Sequence, residues 1–114
     1  MNKYIQIMKI ISWIKNKYQK LTRGYSDKEL WNLDATLAKW ILPRLKAYKE
    51  HNIGYPSFKS SKEEWDAELE TMIKAFEFYM IDPFDVDEKE REEQNKIIKK
   101  GFILFGKRIG HLWY

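Results

Sequence analysis

Apolar residues at Tyr4, Ile7, Ile11, Ile14, Tyr18 and Leu21 recur in steps of three and four, the spacing that gathers side chains onto one stripe of a helix. Ile5, Met8, Ile10 and Trp13 widen that stripe, so this first helix is expected to pack on two neighbours or to enter a homo-oligomer. Arg23-Gly24 ends it, because glycine takes the left-handed geometry of a helix C-terminus at little steric cost. Ser26 with Glu29 forms a capping box, and Tyr25 with Leu30 the accompanying hydrophobic staple. From there Leu30, Leu33, Leu37, Ile41, Leu45 and Tyr48 predict a second helix that ends near Gly54. Pro43 lies inside it and removes the hydrogen bond to the Lys39 carbonyl, which predicts a kink. Residues 52–60 read as a loop by their Gly, Pro and Ser content. A second box, Ser61 with Glu64, opens a third helix through Trp65, Leu69, Met72, Phe76 and Met80. Asp82-Pro83 stops it, and Asp85 or Asp87 can cap a fourth helix whose apolar face is Ile98, Phe102, Phe105, Ile109 and Leu112. Gly101, Gly106 and Gly110 each weaken that helix by about 1 kcal/mol relative to Ala, so packing must hold it, and the Gly106 and Gly110 pair would let another helix approach closely.

These elements predict an all-α fold: one single-domain helical bundle of about four helices, the second kinked at Pro43. A basic amphipathic helix over residues 1–22 precedes a core over 23–114, in which helices two, three and four share one interior. The length of 114 residues is that of one domain. Five Trp, seven Tyr and six Phe supply the bulk to close a core without staples, and the absence of cysteine excludes disulfides, thiolate metal sites and thiol nucleophiles. No run approaches the roughly 20 apolar residues that span a bilayer, and Lys9 interrupts the N-terminal apolar stretch, so the chain reads as intracellular.

The formal charge of +4 is moderate, but it is unevenly placed. Residues 1–26 carry Lys3, Lys9, Lys15, Lys17, Lys20 and Arg23 and no acid, whereas residues 82–100 hold seven acids and five bases. The basic segment suits either a partner element of opposite charge or an anionic ligand, nucleic acid or lipid headgroup.

Catalytic chemistry finds no home in the sequence. His51 and His111 lack metal-site spacing, and His51 falls where it can interact with the last carbonyls of helix two. Acids at 63–70 and 88–93 suit helix N-termini, and no phosphate loop, nucleotide fingerprint or nucleophile elbow is present. No cofactor or metal is implied. Asp34 shares a face with Trp31, Ala38, Ile41 and Leu45, where a buried carboxylate needs a partner such as Arg23 or Arg44, or else lines a ligand pocket. Tyr25, Trp31, Trp40, Tyr55 and Trp65 suit a core equally well, or the stacking of a base beside Arg and Lys.

The pieces RGYSDKELWNLD at 23–34, ILPRLK at 41–46, GYP at 54–56, EEWDAEL at 63–69 with MIKAFE at 72–77, and GFILFGK followed by LW near the end resemble a widespread family of small, uncharacterised bacteriophage proteins. The likeness covers residues 23–113 and leaves out the greasy first helix. It implies a viral origin and, by analogy with other small phage accessory proteins, a non-enzymatic protein acting in the host cytoplasm against host defence. The mechanism expected from it is sequestration of a cyclic nucleotide signal. Arg23 and lysines would neutralise phosphate, Tyr25, Trp31 or Tyr55 would stack on a base, and Asp34 would accept from a base edge or orient Arg23. The alternatives are a module that blocks a host protein or builds a virion, and attachment of the basic helix to an anionic membrane.

Overall fold

Capping chemistry sets where the helices begin. Asn2 accepts from the Tyr4 N–H (2.9 Å) at the head of α1 (Lys3–Arg23), and Gly24 closes that helix with a positive φ of 87° and an N–H bond to the Lys20 carbonyl. Ser26 and Glu29 form their capping box on α2 (Asp27–Trp31). The Ser61 hydroxyl accepts from the Glu64 N–H (3.2 Å) to start α4 (Lys62–Tyr79), and Asp87 accepts from the Glu90 N–H (2.8 Å) to start α5 (Glu88–Arg108). With α3 (Leu33–His51) and short 3₁₀ turns at Pro83–Asp85 and Ile109–His111, this is all the regular structure that the computed structural model gives for residues 2–113. The fold is all-helical, with no strand among the described residues.

The expected second helix is two helices. Asn32 leaves the helical region (φ −127°, ψ 57°), its carbonyl accepts the Thr36 N–H (2.8 Å) that opens α3, and the Thr36 hydroxyl donates to the Glu29 carbonyl (3.3 Å) at the end of α2. Asparagine competes with the helix through its own side chain, which makes it a stopping point without Gly or Pro. Pro43, by contrast, sits inside an α3 that continues to His51. The Arg44 guanidinium donates to the Trp40 carbonyl in the preceding turn (2.7 Å) and lies 4.0 Å over the Trp40 ring.

Contacts group the chain into two units, Met1–Leu37 and Ala38–Tyr114. The boundary drawn from sequence, after residue 22, falls inside the first of them. In that unit α2 packs on α1. In the second, α4 is the central element: Trp65, Leu69, Met72, Ile73 and Phe76 are buried against Ala38 and Leu45 of α3, with Ile41, Leu42, Phe102 and Phe105 at the margin. Phe76 meets Phe102 at 4.9 Å and Phe105 edge-on at 5.3 Å. The Trp65 indole N–H has no acceptor among the described residues, a burial cost of about 1–3 kcal/mol that the packing of this ring offsets.

The close approach of helices occurs at Gly101 and not at Gly106 or Gly110, around which a methyl group would meet nothing within 4 Å. A methyl at position 101 would come to 2.7 Å from the Thr71 carbonyl oxygen and closer still to the Ala75 Cβ. Glycine is required there because no side chain fits between α4 and α5. Gly101→Ala should therefore lower stability by about 2 kcal/mol despite its better helix propensity, a fall of several degrees in Tm. Gly106→Ala should raise stability by up to about 1 kcal/mol. Thermal denaturation followed by circular dichroism would show the opposite signs.

Candidate functional site

The most recognisable stretch of the sequence, residues 23–34, forms the joint between α1 and α2. Arg23 turns back over it: Nε donates to the Tyr25 carbonyl (3.1 Å), Nη2 to Asp27 Oδ1 (2.5 Å), and the guanidinium lies 4.4 Å from the Tyr25 ring centre. Asp27 and Gln19 clasp each other, the Gln19 amide donating to Oδ2 (2.9 Å) and the Asp27 N–H to Gln19 Oε1 (2.8 Å). Glu29 accepts from the Ser26 N–H (3.2 Å) and pairs with Lys20 (2.9 Å). The hydrogen bonds from Gln19 and then Arg23 hold the Asp27 carboxyl below its ordinary range, and Lys20 followed by the Ser26 N–H does the same for Glu29. Arg23 is thus engaged with an internal carboxylate, and one face of Tyr25 is covered by it.

Of the other residues singled out from sequence, Trp31 projects from the end of α2 and is 87% exposed. Asp34 is exposed as well, so its expected burial is not observed. The face it shares with Trp31 begins to be covered only at Ala38, and in the first turn of α3 a carboxylate is favoured by the helix dipole. Tyr55 belongs to the second unit, where it lines a cavity of about 440 Å³.

That cavity has three walls from distant parts of the sequence. The end of α3 gives Tyr48 and Asn52, the following loop gives Tyr55, Pro56 and Phe58, and the C-terminal turn gives His111 and Trp113. Asn52, only 7% exposed, ties the first two walls: its amide donates to the Tyr48 hydroxyl (3.1 Å) and the Gly54 carbonyl (3.1 Å), and its oxygen accepts from the Gly54 N–H (3.3 Å). The Tyr48 hydroxyl donates to the Trp113 carbonyl (3.1 Å), which fixes the third. Phe58 stands edge-on to His111 with ring centres 4.9 Å apart. Aromatic walls with a few fixed polar groups are the kind of lining that small-molecule sites generally have.

Positive charge lies beside the Phe58 wall. The Arg108 guanidinium is 4.6 Å and the Lys59 ammonium 5.8 Å from the Phe58 ring centre. Both cations share one carboxylate: Glu68 accepts Nε (2.9 Å) and Nη2 (3.2 Å) of Arg108 and also pairs with Lys59. Glu64 also acts on Lys59, so two cations and two carboxylates meet here, with the Arg108 and Lys59 groups the ones against the Phe58 ring.

Sequence patterning located Tyr55 but missed the rest of the cleft. The loop was legible from its turn residues, whereas His111 and Trp113 follow the last helical repeat and carried no periodic signal. Among the described residues no group of three or more His, Asp or Glu side chains could hold a metal ion.

Glu68 also supplies a pH test. Partial burial pushes its carboxyl up, but the Arg108 and Lys59 donors together bring it below the ordinary glutamate value of 4.5. Its charge therefore stabilises the fold fully above that value, and the contribution is lost as pH falls through the lower folded value. Glu68→Gln should cost about 1–2 kcal/mol at pH 7, from loss of charged hydrogen bonds, and nearly nothing well below pH 4. Urea unfolding of both proteins across that range would measure the gap.

No protein-family model, curated protein or solved structure matches this chain, so its chemistry is read from its own side chains.

Proposed function

We propose that this protein is a non-enzymatic binding protein that holds a nucleotide-like small molecule in the aromatic cleft of its second unit. The observation that carries this reading is the cleft itself, with the Lys59 and Arg108 cations against its Phe58 wall. A base is recognised by stacking on aromatic rings and its phosphate by a nearby positive charge. Tyr55 keeps the stacking role expected of it from sequence, and Phe58, His111 and Trp113 join it. Arg23, Tyr25, Trp31 and Asp34 are outside this assignment. In the setting implied by the family resemblance, the ligand is a cyclic nucleotide immune signal, and a phage accessory protein in the host cytoplasm silences it by retention. No bond need be broken.

A second reading, a module that blocks a host protein, is favoured by the exposed apolar residues Leu30, Trp31, Leu33 and Leu37 on α2 and the start of α3. Thermal shift against a panel of cyclic and linear nucleotides separates the two. A ligand at about 1,000 times its Kd adds roughly 4 kcal/mol, a Tm rise of many degrees for a domain of this size. Tyr55→Ala and Phe58→Ala, both at half-exposed rings, should weaken that ligand about tenfold or more with little change in the unliganded Tm. Arg23→Ala should leave the affinity as it is. A null result with every compound would transfer the reading to the protein-binding module.

A further inference from the structure

Helix α1 covers its polar side and exposes its apolar one. Asn16 and Gln19 are its only half-buried described residues, while Tyr4, Ile7, Ile10, Ile11, Ile14 and Tyr18 are all exposed to solvent. The reason is the joint: α2 attaches through Lys15, Gln19, Lys20 and Arg23. At 100° per residue these six apolar residues, together with Met8 and Leu21, occupy an arc of about 160°. Gln19, Lys20 and Arg23 fall outside that arc and Lys15 lies just inside one edge, so docking α2 leaves most of it uncovered.

The charge around this arc selects among occupants. Lys3 and Lys15 fall just inside the two edges of the arc and Lys17 just beyond one of them, with Lys9 on the opposite face. No acidic residue occurs in α1. The two nearest acids, Asp27 and Glu29, are engaged by Gln19, Arg23 and Lys20. A second copy laid face to face would bring lysine borders together without a carboxylate from α1 to relieve them. An anionic lipid surface meets the same pattern with complementary charge at the borders and acyl chains under the arc. Tyr4 and Tyr18 within the arc are amphipathic aromatics of the kind enriched at interfaces, and the lysines at its edges can extend to the phosphates. No described helix is long and apolar enough to cross a membrane, so α1 would lie in the plane of the interface.

We infer that α1 is an interfacial helix that places this protein on membranes rich in anionic phospholipid. The proposal is independent of the cleft. Flotation of the full-length protein with vesicles of mixed phosphatidylglycerol and phosphatidylcholine, against vesicles of phosphatidylcholine alone, tests it. The expected result is preferential flotation with the anionic vesicles by about tenfold or more, weakened by salt. The double variant Ile11→Glu, Ile14→Glu changes two exposed positions of a helix and should abolish flotation, with the helical circular dichroism spectrum retained. Failure of the parent protein to float with anionic vesicles overturns the proposal. Flotation that the double variant leaves unchanged overturns it too, since another surface would then bind. A dimer in sedimentation that the double variant dissociates, in a protein that does not float, would assign the arc to a second copy instead.

Discussion

The second unit depends on one close contact, the seating of Gly101 against Ala75 and the Thr71 carbonyl. It brings the axes of α4 and α5 together and fixes how one slides along the other. Seven residues beyond Gly101 stands Arg108, and seven residues before Ala75 stands Glu68, which is two helical turns along each member of an antiparallel pair. The register set at the glycine therefore delivers the guanidinium to its carboxylate. Phe102 and Phe105 reach Phe76 in the same register. The charge beside the Phe58 wall is in this sense a consequence of a missing side chain two turns away.

What could be read from the sequence was what is decided locally. The Ser26–Glu29 capping box, decided within four residues, is recovered; of the expected Ser61–Glu64 box only the Ser61 cap forms, since Glu64 reaches back to the Ser60 N–H and not to that of Ser61. The apolar face of α4 is recovered because a helix buried on one side repeats its pattern. The break at Asn32 was hidden, since asparagine is tolerated inside helices and here takes its role from the Thr36 and Glu29 hydrogen bonds. Asp34 was misplaced because periodicity shows which residues share a face and not whether that face is covered. The three glycines of the last helix look alike in sequence, and only the neighbouring helix distinguishes Gly101 from Gly106 and Gly110. The cleft lay beyond pattern altogether, its walls being brought together over some 60 residues of chain.

The residues from 23 to 34 show how a distinctive motif can serve architecture. Arg23, Gly24, Ser26, Asp27 and Glu29 each have a structural task in turning the chain from α1 into α2. Each of these residues thus has a structural reason for its place without appeal to a ligand. The loop at 54–58 carries fewer such demands beyond Asn52 and is where chemistry has room.

The C-terminal turn has a further implication for the order of events when the protein is made. By Phe105 all the buried side chains of the second unit have been synthesised, and of the residues packed at the margin of its core only Leu112 comes later. The third wall of the cleft, His111 and Trp113, comes after them in the chain. The core of the second unit is thus complete along the chain before the last wall of the cleft, and a change confined to residues 111–113 would remove that wall while leaving most of the core packing in place.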